Sequence, residues 1–184
     1  MSGRSPGDRA RRILVDLDFT QDEPLYVDSP RTGSATVQLF TTDDLRDFTL
    51  DAELGLIEGG AADRYGLTFR QSAEERYAAC TINASGNLAI GIVDNGPALV
   101  IAEAVLDDRV QFRQGLGAMN RVSVVVCGPV AACLVNGVAV IGALLDARYV
   151  SGRVGALLVH TSTSESARVG VNWAQARALL PDLS

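Results

Sequence analysis

Residues 122–145 read VSVVVCGPVAACLVNGVAVIGALL, an uncharged run whose length and hydropathy fit a membrane-crossing helix. Its punctuation says otherwise. Gly128-Pro129 and Asn136-Gly137 would break a helix twice, and Asn-Gly between apolar runs is the strongest short hairpin signal, because a type I′ turn needs positive φ at both central residues. Glycine accepts the mirror-image conformation of a tight turn, and proline fixes the φ that follows. The valine-rich flanks favour strands too. The segment predicts two consecutive β-hairpins and no membrane span.

Working outward, period-two alternation dominates from Asp47 onward. In DFTLDAELGLIEGG, Phe48, Leu50, Ala52, Leu54 and Leu56 point one way while Thr49, Asp51 and Glu53 point the other. After Gly59-Gly60, RYGLTFRQS turns Tyr65, Leu67 and Phe69 inward, and SAEE makes the next turn. YAACTINA sets Ala78, Cys80 and Ile82 against Tyr77, Ala79, Thr81 and Asn83, and NLAIGIVDNGPALVIAEAVL is divided at Asp94-Asn95-Gly96-Pro97. The irregular DDRVQFRQGLGAMNR crosses between sheets, and SGRVGALLVHT and SARVGVNWAQARALL supply closing strands. RILVDLDF and SATVQLFT add two at the front, the first pairing with the last so that the ends meet. Trp173 shares its parity with Val169 and Val171 and is expected in the core, and AQARALLPDLS is expected to form a short helical turn or cap. Short strands with turns every eight to twelve residues indicate an all-β sandwich or barrel.

Composition narrows the classes. The 184 residues suit one domain, here residues 12–178 between tails at 1–11 and 179–184. All 16 basic residues are arginine, scattered in a chain of net charge −6, so the basic stripe that collects phosphates is missing and nucleic acid is not expected as a partner. The N-terminus opens with Arg4, Arg9, Arg11 and Arg12 like a signal peptide, but Asp16 and Asp18 interrupt its apolar run, which leaves the cytoplasm as the expected address. A two-residue Gly128-Pro129 turn sets Cys127 opposite Val130 and leaves Cys133 about 10 Å away, too far for a disulfide. With Cys80 on another strand, all three cysteines are expected as buried free thiols. A single histidine, His160, argues against zinc, and no cofactor is expected.

The ordered set DFTLDAEL, YGLTFR, YAACTINASGNLAIGIV, NRVSVVVCG, LVNGVAV, SGRVGALL and VGVNWAQARA resembles the concanavalin A-like lectin/glucanase superfamily, including laminin G-like modules and bacterial domains related to 3-keto-disaccharide hydrolases. The resemblance covers residues 12 to 178. It implies a two-sheet antiparallel jelly roll whose concave face serves sugars or protein partners, and makes Gly66, Asn136-Gly137, Asp146, Gly152 and Gly155 structural positions. It carries no reaction, because the E-x-D-x-x-E acids of catalytic relatives and the metal loop of legume lectins are not found here.

If the strands from Asp47 to Val93 form a meander, Asp51, Glu53, Thr68, Arg70, Tyr77, Thr81 and Asn83 share one outward face. Carboxylates and an arginine hydrogen-bond sugar hydroxyls, and an aromatic ring gives a platform for a sugar's C–H face. The same set also makes an ordinary wet sheet in which Asp51 or Glu53 pairs with Arg70. With 5% aromatic residues the chain is poor in sugar platforms. No residue is assigned a catalytic role: His160 has no nucleophile beside it in sequence, and Asp51 and Glu53 are merely neighbours on a strand. The expected function is non-catalytic recognition or assembly, toward a protein partner or as a homo-oligomer. Glycan binding is the alternative and glycoside hydrolysis the third reading.

Overall fold

The computed structural model describes residues 23–179 and the backbone of a strand at Leu14–Asp16. In chain order the strands are β1 (Leu14–Asp16), β2 (Leu25–Ser29), β3 (Ser34–Leu39), β4 (Phe48–Glu58), β5 (Arg64–Ala73), β6 (Arg76–Asn83), β7 (Asn87–Asp94), β8 (Leu99–Val105), β9 (Asn120–Cys127), β10 (Val130–Val135), β11 (Val138–Leu144), β12 (Arg153–His160) and β13 (Ala167–Leu179). They form two antiparallel sheets. One runs β1-β13-β4-β9-β10-β11, with β2 also on β13, and the other β3-β12-β5-β6-β7-β8. The chain crosses between the sheets from β2 through β5, from β8 to β9 and from β11 through β13, while β5–β8 and β9–β11 run as meanders within one sheet each, as a jelly roll allows.

The uncharged run 122–145 is β9, β10 and β11 with two hairpin turns, and among the described residues no helix is long and apolar enough to cross a membrane. Asn136 (φ 49°) and Gly137 (φ 84°) both take the positive values a type I′ turn needs, and Cys127 lies opposite Val130 across Gly128-Pro129. Alternation fixes the core. Phe48, Leu50, Ala52, Leu54 and Leu56 are fully buried against Tyr65, Leu67, Phe69, Ala78, Cys80 and Ile82 from the facing sheet.

Four expectations need correction. β4 and β5 are consecutive but lie in different sheets, so the meander begins only at β5. Cys80 on β6 and Cys133 on β10 face each other across the core with Cα atoms 6.3 Å apart and form a disulfide, leaving Cys127 free and exposed. Spacing along one hairpin says nothing of the facing sheet, and stacked sheets bring distant strands together. Trp173 faces outward, because the β13 register slips against β4 between Val171 and Trp173, and one extra residue reverses parity. Residues through Leu179 continue β13 rather than forming a helical turn, while 1–13 and 180–184, which hold both predicted tails almost entirely, lie outside the described residues.

Candidate functional site

The outward face of the β3-β12-β5-β6-β7-β8 sheet carries a groove of about 880 Å3. Register pairs place its residues in rows across the strands. Gly155, Thr68, Ala79, Gly91 and Val100 make one row, Arg153, Gln71, Tyr77 and Val93 flank it on one side, and Leu157, Gly66, Thr81, Ala89 and Glu103 on the other. Small side chains in the first row sink it between its neighbours. Tyr77, Ala79, Ala89 and Leu157 keep only 6%, 5%, 4% and 2% exposure although they point away from the core. Tyr77, Ala79 and Leu157 form their own apolar cluster, flanked by Val37, Val93 and Val159.

Polar groups sit at both ends. Arg64 donates from Nε to Thr81 Oγ1 (3.1 Å) and from Nη2 to the carbonyls of Thr81 (3.2 Å) and Asn87 (3.0 Å). Burial pulls its pKa down, and nearby Glu103 works the other way. At the opposite end Gln71, 4% exposed, leaves its Oε1 without a partner. Arg153 is its cross-strand neighbour, and Tyr77 lines the same groove. Burial first, and then the charge of Glu75, push the Tyr77 phenol above its ordinary pKa, so it stays a neutral donor at physiological pH. The floor carries no carboxylate, and the acids lining the groove, Glu74, Glu75 and Glu103, are exposed at its rim. The arrangement offers a recessed apolar floor and donors at both ends.

The seven residues singled out from sequence divide between four places, and Thr68 lies fully buried in the central row of the groove face. Tyr77 and Thr81 line the groove. Asn83 closes the β6–β7 turn, where its Oδ1 accepts from the backbone N–H groups of Ser85 and Asn87. Asp51 and Glu53 lie on the outer face of the opposite sheet. There Arg121 donates to Asp51 from Nε and Nη2 (3.0 and 2.7 Å), Ser123 adds a third hydrogen bond, and Asn172 donates to Glu53. The Arg121 guanidinium sits 5.9 Å from the centroid of the outward Trp173 ring.

Arg70 is not on the face at all. It takes φ 52° in a bulge of β5 and is 2% exposed, and its guanidinium donates to the carbonyls of Tyr149 (2.5 Å), Arg46 (3.0 Å) and Gly128 (2.5 Å). It pins three loops together, with Asp47 Oδ1 at 3.6 Å as counter-charge. Gly152, at φ +156°, passes so close to the Arg70 backbone that a Cβ would lie 2.4 Å from its carbonyl carbon.

Sequence reasoning passed over Arg64, Gln71, Leu157 and Arg153. Strand parity in RYGLTFRQS and SGRVGALLVH already marks Arg64, Arg153 and Leu157 as opposite the core positions, but nothing in sequence said that β12 lies beside β5. A second buried cluster was also missed. Asp63 Oδ1 accepts from the N–H groups of Thr161 and Ser162 (both 2.7 Å), and its Oδ2 from Gly60 N–H (2.8 Å) and the Ser162 hydroxyl (2.7 Å). His160 Nδ1 lies 3.4 Å from the same carboxylate. This cluster ties the β4–β5 and β12–β13 loops at one end of the groove, where Thr161 is part of the lining.

No protein-family profile matches the sequence, and no curated protein matches it. Solved structures do. The carbohydrate binding module CBM66 from Bacillus subtilis is similar at a TM-score of 0.61 and 16% identity, over 85% of this chain and 95% of that one. A Bacillus subtilis protein of unknown function with a galectin-like fold gives 0.61 at 8% identity, over 84% and 83%. The catalytic domain of an endo-1,3-beta-glucanase (laminarinase) from Thermotoga petrophila gives 0.53 at 8% identity, over 76% and 66%. At these identities the likeness is one of fold.

Proposed function

We propose that this chain, a concanavalin A-like jelly roll, is a non-catalytic binding module that takes a glycan in the groove of its six-stranded sheet. The observation carrying this is the recessed groove itself, whose floor of Tyr77, Ala79, Ala89 and Leu157 is apolar and whose lining also brings in Arg64, Gln71 and Arg153. The apolar floor suits the C–H face of a sugar, and Arg64 and Arg153 reach its hydroxyls from the two ends. Among the similar structures, one is titled a carbohydrate binding module. Exposed acids on the rim favour binding over hydrolysis, since a general acid is kept protonated by apolar surroundings.

The test is a glycan array followed by calorimetric titration of the strongest hit. Tyr77→Ala and Gln71→Ala are each expected to weaken binding by roughly tenfold or more at a temperature where circular dichroism shows both variants folded, since the buried Tyr77 ring also contributes to stability. Equal affinity in both variants would remove the groove as the site.

Self-association is a second reading, favoured by the apolar outward row of Cys127, Val130 and Leu144 across β9, β10 and β11. For location, the Cys80–Cys133 disulfide supports an oxidising compartment over the cytoplasm expected from sequence, because cytosolic thiols are kept reduced.

A further inference from the structure

Asn-Gly occurs twice in the chain, at Asn95-Gly96 and Asn136-Gly137, and the fold holds the two pairs differently. The Asn136 side chain is fixed at both of its polar atoms. Its Oδ1 accepts from the Arg121 N–H (3.0 Å), while its Nδ2 donates to the carbonyls of Val110 (3.3 Å) and Gln111 (3.1 Å) and to Asn120 Oδ1 (3.0 Å). Asn95 stands in the turn after β7, where Asn95, Gly96, Pro97 and Ala98 are all exposed. Its N–H donates to the Glu75 carbonyl (2.8 Å), but its side chain makes a single hydrogen bond, from Nδ2 to Oδ1 of the preceding Asp94 (3.1 Å). The Gly96 N–H donates to no group among the described residues.

We propose that Asn95 is a modification site of the folded chain, at which the Gly96 backbone nitrogen displaces the side-chain amide and leaves aspartate or isoaspartate, while Asn136 in the same dipeptide is protected. Glycine suits the attack because no Cβ crowds the nitrogen. The side chain must also swing until Cγ meets that nitrogen, which at Asn95 breaks one exposed hydrogen bond and at Asn136 four. The atoms balance with water as the other reactant. The Gly96 nitrogen gives up its proton and bonds to Asn95 Cγ, the Cγ–Nδ2 bond breaks, and ammonia leaves a succinimide ring. Water then opens the ring at Cγ to give aspartate, or at the Asn95 main-chain carbonyl carbon to give isoaspartate. The product changes its surroundings. Asp94 already accepts from Arg76 Nε (2.9 Å) and from Arg148 Nη1, and its donor from Asn95 is replaced by a second carboxylate. Isoaspartate also lengthens the main chain by one carbon, in a turn whose Gly96 and Ala98 line the groove.

Peptide mapping by mass spectrometry on the oxidised full chain, aged in mildly alkaline buffer, tests this. The fragment holding Asn95 should gain about one mass unit and accept methyl groups from an isoaspartyl methyltransferase, more than about tenfold faster than the fragment holding Asn136. In urea the two sites should react alike, because only the fold separates them. Gly96→Ala should slow the gain at Asn95 by about tenfold or more. That variant keeps the fold, since Gly96 has no positive φ and an added Cβ meets only the Asp94 carbonyl oxygen at 3.9 Å. An Asn95 fragment that stays unmodified in the folded chain overturns the site, and equal folded rates overturn the protection of Asn136. A slower Asn136 in urea as well makes local sequence the cause and overturns the proposal. Gly96→Ala modified as fast as the parent overturns attack by the Gly96 nitrogen.

Discussion

Asp63 shows how a single carboxylate can hold two loops. Burial opposes its ionisation, but hydrogen bonds from Gly60, Ser162 and Thr161 outweigh that and hold its pKa below the ordinary carboxylate range. The sign of the pH effect follows. As pH falls through the unfolded value of about 3.9, the unfolded chain takes up a proton that the folded chain refuses, and stability drains until the folded pKa is passed. Above about pH 5 the contribution is fully present. Urea midpoints measured from pH 6 downward should fall below pH 4.5, and Asp63→Asn should lower stability at pH 6 while flattening that slope. A slope unchanged in Asp63→Asn would assign it to other acids. Neither Asp63 nor Arg70 advertised its role in the sequence. Both act through backbone groups of loops far along the chain, and spacing along one strand carries no information about such partners.

At the level of strands and turns much more could be read. Asn136-Gly137 and Gly128-Pro129 fall between strands as expected, Asn95-Gly96-Pro97 follows β7 directly after Asp94, and the alternation in β4, β5 and β6 gives their buried faces correctly. Alternation assigns a residue to a face, however, and never names the neighbouring strand. That is why Asp51 and Glu53 were grouped with Tyr77, from which the thickness of the sandwich separates them. Irregularity is the other blind spot. One extra residue near Asn172 turns Trp173 outward, onto the Arg121 guanidinium. Because it is the only tryptophan, its fluorescence reports this face alone. Arg121→Ala should raise acrylamide quenching of Trp173 and cost less than about 1 kcal/mol, as expected for an exposed cation over a ring. Emission indifferent to that change would mean that the ring and the guanidinium are not in contact.

For the molecule as a whole, the Cys80–Cys133 bond is the covalent link between sheets that otherwise meet through apolar packing. It spans 53 residues of sequence, and restricting the unfolded chain by a loop of that length is worth about 4 kcal/mol on the chain-entropy account. The Cys80→Ala/Cys133→Ala double variant should melt well below the oxidised parent and no longer respond to reductant added during unfolding. If the two melt alike, the sheets are held by packing alone. The sandwich class was accessible from strand count and turn spacing, whereas the inter-sheet disulfide needed the three-dimensional stacking that puts β6 over β10.

The antiparallel pairing of Leu14 with Leu179 places the two ends of the described chain on adjacent strands. The fold is in that sense nearly circular. A short peptide joining β13 to β1 could close the ring without displacing a strand, and the chain could then be opened at the exposed Glu74-Glu75 turn instead. Such a circular permutant would carry its new ends at the rim of the groove, so that anything fused there would stand beside whatever the groove holds.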